Sequence, residues 1–187
     1  MYKRQIQYIV EEILDSGIED ILIISGHAKR AIEDHFDSSP ELEQHLFEHN
    51  KMELLDEVRK VANIKVHYIR QQHMRGLGDA ILCAKDFTDG EPFGVILGDD
   101  LVYNGDDTPA LGQLLEQYEK TGGTIVGCQL VEREQVSSYG IIKGNPTEDT
   151  DLVYVEDMVE KPKVEEAPSC LAALGRYVTV SYTHLTL

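Results

Sequence analysis

The sequence predicts an α/β fold: a Rossmann-like, mainly parallel sheet flanked by helices, with a more β-rich part toward the C-terminus. Three observations support this prediction. Apolar residues recur at helical spacing in several segments, and short branched apolar runs, typical of buried strands, lie between them. This alternation ends near Glu132. Strands that alternate with helices require crossover connections, which favour parallel pairing.

The predicted elements follow in order along the chain. The pattern predicts helices over residues 6–14, 28–36, 41–61, 77–87 and 109–118, and strands over residues 18–25, 64–69, 93–97 and 124–130. Ser39 and Pro40 mark the start of the long charged helix, because serine is a favoured N-cap and proline fits the first helical position. Beyond Glu132, strands are predicted over residues 139–143, 153–159 and 171–178.

Length and charge limit the classes of function. A chain of 187 residues has the length of one domain. Its 34 acidic and 17 basic side chains give a formal charge of −17, which repels phosphate backbones. We therefore expect neither nucleic acid nor an anionic membrane as a partner. A small phosphorylated ligand remains compatible with this charge, since a single pocket can be locally positive.

The cysteines and the apolar runs of the sequence indicate the cellular compartment of the protein. Cys83, Cys128 and Cys170 lie far apart and form no C-x-x-C pair, so the sequence supports neither a disulfide framework nor a zinc site. They are typical of small core residues in a reducing cytosol. No apolar run approaches the roughly 20 residues that a membrane helix requires. We expect a soluble, cytoplasmic protein.

Three segments after predicted strands are candidates for ligand binding, because open parallel sheets bind ligands beyond the carboxyl ends of their strands. The first, over residues 71–78, contains two glycines and opens a helix, which suits close backbone approach or an anion. An ordinary glycine turn is the alternative. The second contains Asp99, whose carboxylate could hold Mg²⁺ shared with phosphates. The alternative is an N-cap or turn aspartate.

The third segment contains Glu160 and Lys161 and follows a predicted strand. The glutamate could accept hydrogen bonds from sugar hydroxyls, and the lysine could meet a phosphate as a point charge. The alternative is a surface ion pair. No Walker motif and no nucleophile elbow are present, so the sequence gives acyl transfer no support.

Taken together and in order, the motifs of this sequence match a known family, although each segment alone is too short to identify it. The matching stretches are IQYIVEEILDSGIEDILIISG, KRAIEDHFD, HYIRQ, RGLGDAILCAK, EPFGVILGDDLV, SSYGIIK, VEDMVEKPKVEEAPS and LAALGRYV. In this order they resemble the bacterial UTP–glucose-1-phosphate uridylyltransferases, a family of sugar nucleotidyltransferases. The resemblance covers about residues 5 to 179, and the charged segment over residues 41–61 is similar to an insertion that separates this family from its thymidylyltransferase relatives.

The resemblance implies roles for individual residues. Gln71 corresponds to a glutamine that reads the uracil edge, and Gly76 to backbone that contacts the base. Asp99 corresponds to the catalytic aspartate that holds Mg²⁺ against the phosphates of both substrates. These residues fall in the part that the resemblance assigns to the nucleotide, residues 1–131.

Residues 132–180 correspond to the sugar-phosphate part. Gly140 and Gly175 match glycines that contact the hexose, and Glu160 matches the residue that binds glucose hydroxyls. Lys161 matches a catalytic lysine beside glucose 1-phosphate. The implied partners are UTP, glucose 1-phosphate and UDP-glucose, the implied cofactor is Mg²⁺, and the family assembles as homo-oligomers. A dTTP-using nucleotidyltransferase and a non-catalytic nucleotide-sugar-binding module remain as alternatives.

The sequence also departs from the family pattern. The family begins with a strand and a G-x-G-T-R loop that grips the triphosphate, and it continues into a C-terminal region with a second metal-binding aspartate; neither is found here. We therefore expect a single, incomplete domain with non-native ends at residues 1–5 and 181–187. We expect it to lack useful activity by itself and to associate through exposed sheet edges. Asp79 stands where the family more often has histidine.

Overall fold

The computed structural model describes residues 4–105 and 107–180. The expectation that both ends are non-native falls largely outside these residues, since 1–3 and 181–187 are not described. Of the proposed N-terminal addition, Gln5 is the first residue of the first helix.

Helices and strands alternate through most of the chain. The helices are α1 (Gln5–Asp15), α2 (Arg30–Phe36), α3 (Pro40–Glu48), α4 (Met52–Ala62), α5 (Leu77–Leu82), α6 (Lys85–Thr88) and α7 (Ala110–Thr121), and a 3-10 helix spans Arg133–Ser138. The strands are β1 (Ile21–Ser25), β2 (Val66–Arg70), β3 (Phe93–Ile96), β4 (Ile125–Leu130), β5 (Gly140–Pro146), β6 (Val153–Glu160) and β7 (Leu171–Thr179). Each predicted strand is present, with bounds shifted by a few residues.

The smaller of two sheets is parallel. β1 and β2 pair in register from Ile21 opposite Val66 to Ser25 opposite Arg70. Helices α1, α2 and α4 cover this pair with apolar side chains, forming a core from Val10, Ile21, Phe36 and Val61. Because the strands are parallel, their carboxyl ends lie at the same edge, which is where ligands of such sheets bind.

The larger sheet has five strands and is organised around β7. β4 pairs antiparallel with one edge of β7, and β3 and β5 pair antiparallel with successive parts of the other edge. β6 pairs antiparallel with β5 and forms the end of the sheet. Tyr177, for example, lies between Val95 of β3 and Val126 of β4. The last described strand therefore connects the alternating part of the chain with its β-rich part.

The structure confirms the α/β class, the parallel pairing of β1 with β2 and the β-rich C-terminal part. The pairing in the larger sheet, however, is antiparallel, whereas the alternation of strands and helices predicts mainly parallel strands. β3 and β4 run parallel to each other, but β7 lies between them and pairs antiparallel with both. Strand alternation predicts the direction of successive strands, but it contains no information about a strand that is inserted later in the chain.

Two predicted helices are divided. The helix predicted over residues 41–61 breaks between α3 and α4, where Asn50 adopts a left-handed φ of 54°, a conformation that asparagine tolerates. The break lets the two helices fold back and bury Leu46, Leu55 and Val58 together. The helix predicted over residues 77–87 divides into α5 and α6, because the Ala84 N–H bonds the Ile81 carbonyl three residues back.

A cavity of about 900 Å³ lies between the two sheets, lined mainly by apolar side chains of α1, β1, α5 and β3. In the described part of the chain, β1 pairs only with β2 and β3 pairs only with β7, so each has one unpaired edge. The predicted association through sheet edges stays a prediction. Among the described residues, no helix is long and apolar enough to cross a membrane.

Candidate active site

The two residues predicted to contact the base lie together after β2. The backbone N–H of Gln71 donates to the Ser25 carbonyl at 2.9 Å, which ties it to the end of β1. The Gln71 side-chain Nε2 donates to Oδ2 of Asp79 at 2.7 Å and to the Gly76 carbonyl at 3.4 Å. Gly76 has a φ of 104°, in the region that favours glycine. Asp79, identified from the sequence only as a difference from the family pattern, is therefore hydrogen-bonded to a residue predicted to contact the base.

The adjacent aspartates after β3 have different roles. The Asp100 carboxylate accepts the Gly175 N–H at 3.1 Å, and its backbone carbonyl accepts Nη2 of Arg176 at 2.9 Å. Asp99 is exposed, and its carboxylate makes no hydrogen bond or ion pair within residues 4–105 and 107–180. Asp100 thus holds the loop against β7, and Asp99 is the carboxylate available to a ligand.

A buried arginine anchors the same loop. Arg176 is fully buried, and its Nε and Nη2 donate to the two carboxylate oxygens of Glu12 at 2.9 and 2.8 Å. Glu12 also accepts the N–H of Leu111 at 3.2 Å, which joins α7 to the group. Sequence reasoning missed this pair, although a lone charge within the apolar run LAALGRYV was a visible signal.

The predicted sugar-binding residues Gly140 and Glu160 are cross-strand neighbours on β5 and β6. A Cβ placed on Gly140 would lie 3.2 Å from the Glu160 carboxylate, so the glycine makes room for this side chain. The Lys161 Nζ lies 3.5 Å from Glu160 Oε1, and both side chains are exposed. The Lys161 N–H donates to the Tyr139 carbonyl at 3.0 Å, while its φ of 46° is strained for a non-glycine residue.

Gly175 has a structural reason to be glycine. A Cβ there would lie 2.8 Å from the Cβ of Leu97, closer than real side chains approach. Its N–H is donated to Asp100, and its carbonyl accepts the N–H of Leu97 at 2.9 Å. The predicted contact with a hexose stays a prediction.

Strand β7 joins two parts of the site along one of its edges. One is the loop after β3 that carries Asp99 and Asp100, called the Asp99 loop below. The other is the cross-strand pair Gly140 and Glu160. The loop joins β7 at Gly175, and β5 joins the same edge at Ala172, three residues away, which is about 10 Å along a strand. Burial raises the pKa of Tyr177, and the nearby charges of Cys128, Glu160 and Asp100 add to that effect.

The donor set suits one mode of metal binding. Among the described residues, no three His, Cys, Asp or Glu side chains are grouped closely enough to enclose an ion. Magnesium commonly takes only one or two protein carboxylates and completes its shell with phosphates and water. The exposed Asp99 carboxylate, which bonds to none of the described residues, fits that mode.

Comparison with known proteins gives consistent matches. The model of the nucleotidyl transferase family matches residues 1–184. The UTP–glucose-1-phosphate uridylyltransferase of Bacillus subtilis (strain 168) is 52% identical over 177 residues, which is 94% of this chain and 60% of the relative. The chain thus spans about 60% of the length of this relative.

Solved structures agree with the fold. An apo UDP-glucose pyrophosphorylase superposes with a TM-score of 0.90 at 40% identity, covering 98% of this chain and 68% of that one. A UDP-glucose pyrophosphorylase complexed with UDP-glucose gives 0.84 at 40% identity, covering 95% and 64%. With a family match over nearly its whole length, the chain belongs to the nucleotidyl transferase family.

Proposed function

We propose that this chain carries the uridine-nucleotide and glucose 1-phosphate sites of a UTP–glucose-1-phosphate uridylyltransferase. The observation that supports this most directly is the junction on β7, where the Asp99 loop and the strand that carries Gly140 attach to the same edge about 10 Å apart along β7, at Gly175 and Ala172. Attachment to one edge of β7 at this spacing puts the loop that carries Asp99 and the strand that carries Gly140 side by side, as a ligand with a diphosphate between nucleoside and sugar requires. The names of the similar proteins, and the complex of one with UDP-glucose, support the same assignment.

The proposed reaction is an in-line displacement at phosphorus. A phosphate oxygen of glucose 1-phosphate attacks the α-phosphorus of UTP, the bond to the β-phosphate oxygen breaks, and pyrophosphate leaves with that electron pair. UDP-glucose is the other product. Such a transfer needs positioning and charge neutralisation rather than a covalent nucleophile.

Each residue has a role in this scheme. Gln71 binds the uracil edge beside the Gly76 backbone. Glu160 accepts hydrogen bonds from glucose hydroxyls, in space left by Gly140, and Lys161 neutralises the sugar phosphate. The Lys161 ammonium and the Glu160 carboxylate lie 3.5 Å apart, so both are close enough to bind one sugar phosphate.

Asp99 is the proposed ligand of Mg²⁺. When bound, the ion would neutralise phosphate charge during the transfer. The hydrogen bonds of Asp100 to Gly175 and Arg176 hold the loop, while the Asp99 carboxylate bonds to no residue in 4–105 or 107–180.

We further propose that residues up to about 131 form the nucleotide part and residues 132–180 the sugar-phosphate part of one cytoplasmic enzyme domain, and that the whole enzyme is a homo-oligomer. Gln71 and Asp99 lie in the first part, and Gly140, Glu160 and Lys161 lie in the second. Gly175, also in the second part, contacts the Asp99 loop, so the two parts meet at β7.

Calorimetric titration with UDP-glucose in the presence of Mg²⁺ tests the proposal. We expect saturable binding that Lys161→Met weakens about tenfold, while Lys163→Met, which removes an exposed lysine paired with Glu166, has no effect. Equal loss in both variants, or no binding to the parent chain, would contradict the proposed site.

The same titration separates the alternatives. A preference for dTDP-glucose would favour the thymidylyl alternative. Release of pyrophosphate from UTP and glucose 1-phosphate, measured on the chain extended to the full length of its relatives, distinguishes a transferase from a module that only binds the product.

A further inference from the structure

The side-chain amide of Gln71 has one possible orientation. Its Nε2 faces two acceptors, the Asp79 carboxylate at 2.7 Å and the Gly76 carbonyl at 3.4 Å. An ionised carboxylate and a backbone carbonyl can only accept hydrogen bonds, so only the NH₂ group of Gln71 can face them. The Oε1 atom must therefore point away from Asp79 and the Gly76 carbonyl, where it presents a hydrogen-bond acceptor.

Both partners in this contact are fixed by secondary structure. The Gln71 backbone is tied to the end of β1 through the Ser25 carbonyl at 2.9 Å. Asp79 lies in the first turn of α5, where a negative charge is favourable because the helix dipole is positive at that end. The side chains of Gln71 and Asp79 are both partly buried, which strengthens the hydrogen bond between them.

We propose that Asp79 is a specificity-determining residue, which makes the site select uracil over cytosine by fixing the orientation of the Gln71 amide. The inference rests on the proposed function, in which Gln71 contacts the base. Uracil carries a donor at N3, which matches the fixed Oε1 acceptor. Cytosine carries an acceptor at N3, which faces the same oxygen without a proton between them. Thymine shares the N3 donor, so Asp79 does not separate uridine from thymidine nucleotides.

Titration with UMP and CMP tests this directly, since the two differ only at positions 3 and 4 of the ring. We expect the parent chain to prefer UMP. Asp79→Asn can offer Gln71 either an oxygen or an NH₂ group, so the amide can turn and the preference for UMP over CMP falls about tenfold. Asp86→Asn removes an exposed carboxylate from the next helix and leaves the preference unchanged.

The orientation itself can be measured without a ligand. In ¹⁵N-resolved NMR spectra, we expect the Gln71 side-chain NH₂ protons to be shifted downfield by the carboxylate and to return to ordinary positions in Asp79→Asn. An unperturbed NH₂ group in the parent chain would overturn the proposal even if the variant folded poorly.

The remaining outcomes separate this inference from the proposed function. If the parent chain binds UDP-glucose and prefers UMP, but Asp79→Asn keeps the same preference, the role of Asp79 is wrong and the function stands. If it binds UDP-glucose but does not distinguish UMP from CMP, the role of Asp79 is again wrong. If neither UDP-glucose nor UMP binds, the proposed function itself fails, and the inference fails with it.

Discussion

The fully buried Arg176 on β7 and Glu12 on α1, whose side chain is 10% exposed, form a two-pronged ion pair with N–O distances of 2.9 and 2.8 Å. Arg176 also donates to the Asp100 and Gly175 carbonyls, at 2.9 and 3.3 Å, so its guanidinium joins the first helix to the loop that carries Asp99. An arginine suits this position because its planar group can bond a carboxylate and a carbonyl at once.

Removing one partner of this pair should destabilise the fold. Arg176→Met leaves the Glu12 carboxylate, only 10% exposed, without its cation, and we expect the free energy of unfolding to fall by about 3–5 kcal/mol. Urea denaturation measures this. The double variant Arg176→Met with Glu12→Leu should recover much of the loss, since no buried charge remains.

The matched control is Arg59→Met, which breaks the pair with Glu43 at 2.9 Å on the surface. Arg59 is 55% exposed, so we expect a change below about 1 kcal/mol. Similar losses from Arg176→Met and Arg59→Met would show that the buried pair has no special role.

The two neighbouring aspartates should respond differently to substitution. Asp99→Asn should abolish the dependence of UDP-glucose affinity on Mg²⁺ without changing stability, since its carboxylate bonds to no described residue. Asp100→Ala leaves the Gly175 N–H without its acceptor and should lower stability by about 1–2 kcal/mol. Titrations with and without Mg²⁺, beside thermal melts, distinguish the two; a metal effect confined to Asp100 would reverse the assignment.

A methyl group at Gly140 should disturb the sugar side of the site alone. It would lie 3.2 Å from the Glu160 carboxylate, which can move by a few tenths of an ångström at little cost in stability. We expect Gly140→Ala to weaken UDP-glucose binding about tenfold and to leave UMP binding unchanged. Gly123→Ala, where a Cβ meets nothing within 4 Å, is the control. A parallel loss of UMP affinity would argue against a sugar-specific role.

The stability of the chain should depend on pH through His35. Burial, with the charge of Arg4 as a smaller cause, lowers the pKa of His35 below its usual 6.5. The unfolded chain therefore binds a proton more readily, so this contribution is complete above pH 6.5 and is lost as the pH falls from 6.5 to the folded pKa.

Denaturant midpoints at pH 7.5 and 5.5 measure the effect. We expect the parent chain to lose more stability over that interval than His35→Gln, whose amide can still donate to Gln7 Oε1 across the present 3.2 Å contact. Equal losses would show that His35 contributes nothing to the pH dependence.

The amino-acid sequence by itself determined the α/β class, the position of each strand and the placement of candidate residues at strand ends. These are local properties: apolar periodicity predicts the elements, and glycines and carboxylates mark the turns after them. The break at Asn50 was missed because the apolar spacing on either side suits one helix as well as two.

Only the tertiary structure decided which strands meet and which charges pair. Local patterns do not specify that β7 enters between β3 and β4, since pairing depends on contacts between distant segments. The lone charge of Arg176 in an apolar run indicates a buried group, but the sequence does not identify its partner Glu12, 164 residues away, nor the division of roles between Asp99 and Asp100. Glu12, Asp100 and Arg176 are ordinary charged residues in the sequence, and burial beside one another gives them their function.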